Sequence, residues 1–385
     1  MKIACIATSQ VPSSTANSIQ LMKACQALAQ NGHSVTLLLP DVPQTRPADP
    51  AERGWEYLAP RYGLEQRFDI EWIPTDLRWK RYDLAWKALA RARSLRAGLV
   101  YTWLPQAGVL ALALGMPTLL EMHDRPTGNL GPLIFQLFLR WPGVKRVLPI
   151  TQALQRCLER DYHFVFRPGQ AVVSPNGADL ERYAGLPDAP AARRELELPE
   201  QPTAIYTGHF YAGRGMDVLI GLAMRFPQVH FLWVGGQAED VNHWKQRLEK
   251  ARLQNVTLTG FIENQRLPLY QAAGDILLMP YEQAIAGSSG GNSADICSPM
   301  KMFEYMAAGR AILSSDLPVI REVLNEQNAV FCPPGDPQAW QDTFAALLGA
   351  PARQQMLGLQ ARLDAPRYTW RAREERALKG MVKMG

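Results

Sequence analysis

Several clusters of polar residues stand where short apolar runs end, and their types suit the holding of a phosphate or a polyol. The clearest is SPMKMFEYMAAG (298–309). Pro299 suits the first turn of a helix, where its missing N–H costs nothing. A helix beginning there offers the backbone amides of Met300, Lys301 and Met302 as free donors beside Ser298, and Lys301 adds a formal positive charge. Glu304, one turn further in, cannot bind a phosphate but can accept hydrogen bonds from two adjacent hydroxyls, as a ribose presents them. Phosphate at the helix tip with ribose at the carboxylate describes a nucleoside diphosphate. The other reading of Glu304 is a solvated first-turn carboxylate.

YTGHFYAGRGMDVLI (206–220) repeats this logic, with Gly208 and His209 after an apolar run and Gly213-Arg214-Gly215 before a helical pattern. A cation beside a glycine-rich strand-to-helix turn suits a diphosphate, because amides, helix dipole and guanidinium favour the same charge. A surface arginine in a loop is the alternative. TLLEMHDRPTG places His123 and Asp124 where a strand runs out into a loop, the place where an α/β sheet presents reactive side chains, although a structural histidine fits the same pattern. The first apolar run is followed by SQVPSSTANS, with Ser14, Asn17 and Ser18 among its hydroxyl and amide side chains and no glycine before Gly32. The glycine fingerprint of dinucleotide binding is therefore missing, and there is no Walker loop. These side chains either bind a polyol or phosphate at the helix N-terminus or simply cap that helix through Ser or Asn.

What must position these clusters is an alternation of strands and helices. Apolar runs KIACIAT, SVTLLLP, DIEWIP, LVYTW, TLLEMHD, VLPIT and AVVSPNG fill the first half, and the pattern restarts at TAIYTG, followed by HFLWVGG, VTLTGF, DILLMPY, AILSS and AVFCPPG. Strands alternating with helical patterns predict parallel sheets. DLERYAGLPDAPAARRELELPEQP (179–202), rich in Pro, Ala and charge, reads as the linker. The expectation is two doubly wound α/β domains, 1–185 and 186–365, with a final segment 366–385. Ligands of such sheets bind at the carboxyl ends of the strands, here in the cleft between two facing domains. A chain of 385 residues, 47% hydrophobic and 20% charged, agrees with a two-domain globular protein. Its net charge of +5 is compatible with phosphate-bearing ligands or an anionic surface. Five cysteines without a CxxC pair argue against a disulfide framework or a zinc site and for a reducing cytoplasm. The N-terminal run is too short for a signal peptide, and the longest apolar region, 108–120, is broken by Gly115 and Pro117.

With these motifs in order, the chain resembles the retaining glycosyltransferases of family 4, with the two-Rossmann GT-B fold, over nearly its whole length. ANSIQLMKACQALAQNGHSVTLLLP is similar to the family's N-terminal strand–loop–helix–strand, SPNGADLERY to its domain-closing strand, and RYTWRAREERALKGM to the helix that crosses back to the first domain. YTGHFYAGRGMDVLI resembles the segment holding the donor phosphates, with Gly208, His209, Arg214 and, after the next strand, Gly235. GFIENQRLPLYQAAGDILLMPY resembles the stretch that reads the base, through Phe261 and Ile262. KMFEYMAAGRAILSSDLPVIREVL carries the second glutamate of an E-x7-E element, Glu304, amid Ser298, Met300, Lys301, Met302 and Phe303. The sequence departs from the family at three places. Ile296 stands where the first glutamate belongs, with Asp295 beside it; His209 replaces an arginine; and an N-terminal double glycine is absent.

The resemblance implies transfer of a sugar from a nucleoside diphosphate donor, with no other cofactor, to a hydroxyl acceptor held near Ser14, Asn17, Ser18 and Asp124. Arg214 and Lys301 would stabilise the departing diphosphate, and His123 would contact the transferred sugar. The implied mechanism is front-side attack without a metal or a covalent glycosyl-enzyme. Two rivals stand beside it, a nucleotide-sugar epimerase of the same architecture and a non-catalytic nucleotide-sugar-binding module. The loop EQAIAGSSGGNSADIC reads as a mobile cover over the donor. RWKRYDLAWKALARARSLRAG (78–98) is basic and amphipathic, and LIFQLFLRW (133–141) is strongly apolar with Arg140, Lys145 and Arg146 nearby. They are either two ordinary helices with a solvated basic face or a surface that docks on the inner face of an anionic membrane, suiting a lipid-linked acceptor. Nothing points to nucleic acid.

Overall fold

A computed structural model of the protein describes residues 1–79, 82–285 and 292–381. The glycine–serine part of the expected cover, residues 286–291, and Lys80 and Arg81 of the basic stretch lie outside the described residues. The chain divides into two units, Met1–Asn176 with Trp370–Gly385, and Gly177–Thr369.

In the first unit β1 (Lys2–Ile6), β2 (Ser34–Asp41), β3 (Asp69–Pro74), β4 (Leu99–Thr102), β5 (Thr118–Met122) and β6 (Lys145–Pro149) form a parallel sheet in the order β3-β2-β1-β4-β5-β6. Both faces are covered, as continuous apolar strands require. Successive residues of β1 enter different cores: Ile3 and Cys5 pack with Leu37, Leu39 and Tyr101, whereas Ala4 and Ile6 pack with Leu38, Leu84 and Val100. The helix Ala16–Gln30 starts at Thr15, whose side chain accepts from the Ser18 amide. The loop's capping role therefore holds, with Thr15 as the capping residue. AVVSPNG does not become a further strand. It runs beside β6, with Val172 and Ser174 amides donating to the Val147 and Pro149 carbonyls, and makes only isolated bridges, because Pro149 in β6 has no N–H to donate back between them. The terminal helix Trp370–Leu378 packs on the helix Ala16–Gln30 and is fastened by Arg146, which donates to the Ala377 carbonyl at 2.6 Å and the Lys379 carbonyl at 3.0 Å.

The second unit repeats the design with β7 (Thr203–Thr207), β8 (His230–Val234), β9 (Val256–Leu258), β10 (Ile276–Met279), β11 (Ala311–Ser315) and β12 (Val330–Cys332), ordered β12-β11-β10-β7-β8-β9. Trp233, Phe231, Phe344 and Trp340 fill its core. The segment read as a linker is folded into this unit. It contains the helix Ala189–Glu195, Arg193 donates to the Ala273 carbonyl and Asp275 at 3.0 Å each, and Tyr183 donates to Gln271 at 2.7 Å. All five cysteines are free thiols, and no described helix is long and apolar enough to cross a membrane.

Candidate functional site

In each sheet the strand order reverses beside its first strand, and ligands of doubly wound sheets bind at the carboxyl ends there. In the second unit the reversal lies between β7 and β10. The residues that follow them are the two phosphate-type motifs.

Gly208, just past β7, has φ +135°, and a Cβ there would lie 3.0 Å from Lys301 Nζ. Gly215 has φ +71°, and its Cβ would meet the Pro280 carbonyl oxygen at 1.7 Å, so only glycine lets the helix Met216–Arg225 begin against β10. Gly235 donates its amide to the Gly260 carbonyl at 3.0 Å, tying together the loops after β8 and β9. Arg214, held between these turns, donates to the Tyr211 hydroxyl at 2.6 Å and stacks over the Tyr211 and Tyr281 rings at 4.7 and 5.2 Å. Its Nε is buried without a hydrogen-bond partner among the described residues.

Lys301 enters the same pocket from the helix Met300–Ala308. Tyr305 anchors that helix to β7 and β10: its hydroxyl accepts from the Thr207 amide at 2.9 Å and donates to the Leu278 carbonyl at 3.3 Å. Lys301 Nζ sits 3.7 Å from the Tyr206 ring centroid and 5.3 Å from that of Tyr281, and has no hydrogen-bond partner among the described residues. Burial pushes its pKa well below the usual lysine range, the Arg214 charge pushes it further, and Glu304 opposes both. Two cations in one aromatic-walled pocket make a place where an anion relieves repulsion and supplies missing acceptors. Tyr206, Tyr211 and Tyr281 were not singled out from the sequence, and their only signal was their position at or just beyond the ends of buried strands. Cys297 also borders the pocket, and burial pushes its thiol up to about 11.

The helix start corrects one expectation. Pro299 is the capping residue rather than the first helical one, and the Met302 amide is not free, because it donates to the Pro299 carbonyl at 3.1 Å. Met302 and Phe303 point into the core, so only their backbone could reach a ligand. Ser298 is buried and Met300 half-buried. Glu304 is half-buried and accepts from Gln271 at 3.3 Å, whose carbonyl in turn accepts from Tyr183; it is not a freely solvated carboxylate. Ile296 is fully buried while Asp295 is exposed. The His209 ring stacks on Tyr211 with centroids 5.4 Å apart, and its carbonyl accepts from the Tyr206 hydroxyl. Phe261, 42% exposed, and Ile262 follow β9.

In the first unit His123 follows β5, half-buried, with Nε2 2.7 Å from Glu121 Oε1. An ionised carboxylate only accepts, so in the neutral imidazole Nε2 carries the hydrogen and Nδ1 is the acceptor. That reverses the expected pattern of donation to a sugar and acceptance from a backbone amide. Asp124 accepts from the Arg125 amide at 2.7 Å. Ser18 is fully buried, its hydroxyl directed at the Thr15 and Ser13 carbonyls; Ser14 is half-buried and Asn17 exposed. The helices Tyr82–Ser94, Pro105–Ala113 and Gly131–Arg140 lie side by side. They and their flanks expose Trp79, Trp86, Leu130, Leu133 and Leu137 together with Arg93, Arg96 and Arg140. Arg146 does not join that surface, since it is buried and spent on the terminal helix.

Residues 19–182 match the family model described as Glycosyltransferase Family 4, and residues 201–350 match that described as Glycosyl transferases group 1. The chain is 27% identical over 278 residues to the phosphatidyl-myo-inositol mannosyltransferase of Mycobacterium tuberculosis, spanning 69% of this chain and 68% of that protein. Among solved structures it superposes on sucrose-phosphate synthase from Thermosynechococcus elongatus with a TM-score of 0.72 at 19% identity, over 98% of this chain and 96% of that one. Anabaena HepE in complex with UDP-glucose gives 0.72 at 17% identity, over 98% of each chain. At those identities the structures establish the fold, that of two Rossmann-like halves.

Proposed function

The chain belongs to the family 4 glycosyltransferases of the GT-B fold, and from that premise we infer that it takes a sugar from a UDP- or GDP-linked donor to a hydroxyl acceptor with retention of anomeric configuration. The observation that carries this reading is the pair of cations, half-buried Arg214 and buried Lys301, which share the Tyr281 ring at the strand-order reversal, with Glu304 one turn along the helix of Lys301. The diphosphate leaves with more negative charge than it holds in the donor. Arg214 and Lys301 therefore stabilise the transition state more than the ground state, which is what accelerates the chemical step. Glu304 takes the ribose hydroxyls, Phe261 and Ile262 take the base, and His123 orients the transferred sugar. The two cations meet the leaving-group charge without a metal, and the donor phosphate accepts the acceptor's proton in a front-side attack.

The acceptor belongs to glycolipid or polysaccharide synthesis. A relative is named for mannosyl transfer to phosphatidyl-myo-inositol, and the exposed Trp79, Trp86, Leu133 and Leu137 with Arg93 and Arg140 suit contact with anionic lipid at the cytoplasmic face of a membrane. An epimerase would release an altered sugar without any acceptor, and a binding module would release no nucleoside diphosphate. Kinetics of Arg214→Ala test the assignment: turnover should fall more than donor affinity. A loss confined to affinity makes Arg214 a ground-state anchor and removes it from the chemical step.

A further inference from the structure

Beneath His123 lies a buried set of polar and charged side chains drawn from four distant parts of the first unit. Glu121, in β5, is fully buried. Its Oε1 accepts from His123 Nε2 at 2.7 Å, from Gln20 Nε2 at 2.7 Å and from Arg373 Nη2 at 2.5 Å, and its Oε2 accepts from the Tyr101 hydroxyl. Arg373 comes from the terminal helix, 252 residues away along the chain, and its side chain is 1% exposed. It also donates to the Tyr101 hydroxyl at 3.1 Å, to the Pro175 carbonyl at 3.0 Å and to Glu374. A carboxylate out of contact with water stays ionised only beside a compensating cation. Burial works against the charge on Glu121, yet the Arg373 guanidinium and the His123 bond hold its carboxyl down to about 2. Burial raises neighbouring Glu374 to about 7, so of the two carboxylates Arg373 keeps Glu121 charged.

We propose that Glu121 and Arg373 are positioning residues for His123: Arg373 keeps Glu121 a pure acceptor, and Glu121 fixes the imidazole as the Nε2–H tautomer with Nδ1 turned to the ligand. The terminal helix thereby supplies a group on which the site depends, besides fastening itself to the first unit. The functional side of this proposal rests on the assignment of His123 to the transferred sugar. The titratable groups around the cluster are Tyr101 from β4, Cys5 from β1, Cys25 from the helix Ala16–Gln30, and Arg373 and Glu374 from the terminal helix. Gln20 is the uncharged polar neighbour.

The test combines nitrogen NMR of protein labelled with ¹⁵N-histidine and steady-state kinetics of the full chain. Wild-type His123, identified by its loss in His123→Ala, should show a protonated Nε2 and an unprotonated Nδ1. Glu121→Gln, whose amide can present an N–H to the imidazole, should lose that signature. Its turnover should drop about 100-fold, the scale of a misplaced reacting group, with UDP or GDP affinity unchanged. Arg373→Lys should fall between Glu121→Gln and the wild type in both readouts. An Nδ1–H tautomer in the wild type overturns the proposal even if neither Glu121→Gln nor Arg373→Lys folds. So does a Glu121→Gln protein that keeps the wild-type tautomer and turnover. If the tautomer is as stated but His123→Ala retains full turnover, the positioning geometry stands and the sugar assignment beneath it falls.

Discussion

Replacing Lys301 with methionine separates the cost of a buried cation from its use. In the free protein Lys301 Nζ has a ring face 3.7 Å away but no acceptor among the described residues, and Arg214 shares its pocket. An unsatisfied buried donor costs roughly 1–3 kcal/mol, more when charged. The contact with the Tyr206 ring returns about 0.5–2 kcal/mol of that. Lys301→Met, close in length and apolar, should therefore stabilise the free protein by about 1 kcal/mol, a rise in the melting temperature of the second unit of about 2–4 °C. Affinity for UDP or GDP should fall by the roughly 1.5–3 kcal/mol of a charge-assisted hydrogen bond, about 10- to 150-fold in Kd. Because the free-state pKa is depressed, a bound diphosphate raises it, and nucleotide binding should take up a proton where free Lys301 is neutral. Calorimetry in buffers of different ionisation enthalpy reads that proton, and differential scanning fluorimetry reads the melting shift. A variant that melts lower than the wild type and binds UDP and GDP equally well would refute the reasoning.

Glu304→Ala should weaken nucleoside diphosphate binding by roughly 1.5–3 kcal/mol and abolish discrimination against the 2′-deoxy nucleotide; retained discrimination would place the ribose elsewhere. Transfer should proceed at its full rate in EDTA, and a loss restored by magnesium would put a metal into the mechanism. Trp86→Ser combined with Leu133→Ser should reduce co-flotation with anionic vesicles at low salt while UDP and GDP affinity stays unchanged. Burial and the Arg193 charge push His230 down to about 4 from the ordinary 6.5, so the folded protein keeps it neutral while the unfolded chain protonates below 6.5. Its contribution is whole above 6.5 and is lost as pH falls toward 4, about 2 kcal/mol by pH 5, so thermal melts of His230→Asn should show a flatter acid limb than the wild type.

The architecture was legible because most strands of both sheets are short apolar runs separated by helical patterns, the alternation of a doubly wound parallel sheet. AVVSPNG misled because an apolar run beside a sheet looks like a strand until the missing N–H of Pro149 in the neighbouring β6 is weighed. The segment 179–202 looked like a linker because the helix Ala189–Glu195 is short and buries only Ala189, Ala192 and Arg193, the last through its bonds to Ala273 and Asp275. The phosphate-type motifs were legible as Gly-Arg-Gly and Ser-Pro-x-Lys. The tyrosines that wall their pocket were not, since a tyrosine at a strand end carries no local mark of what it faces. Nor could spacing show Arg373 reaching Glu121, because that contact joins residues 252 apart.

The most direct measurement of the central claim is proton NMR of the protein incubated with UDP- and GDP-linked sugars, first alone and then with lipid and sugar alcohols as acceptors. The proposed reaction predicts release of nucleoside diphosphate from one donor, slow without an acceptor and faster with one, and a product whose new anomeric signal has the donor's configuration. Lys301→Met and Arg214→Ala should suppress that signal. An inverted anomer would contradict the retaining mechanism, and a panel from which no nucleoside diphosphate is released, despite tight binding of UDP or GDP, would contradict glycosyl transfer.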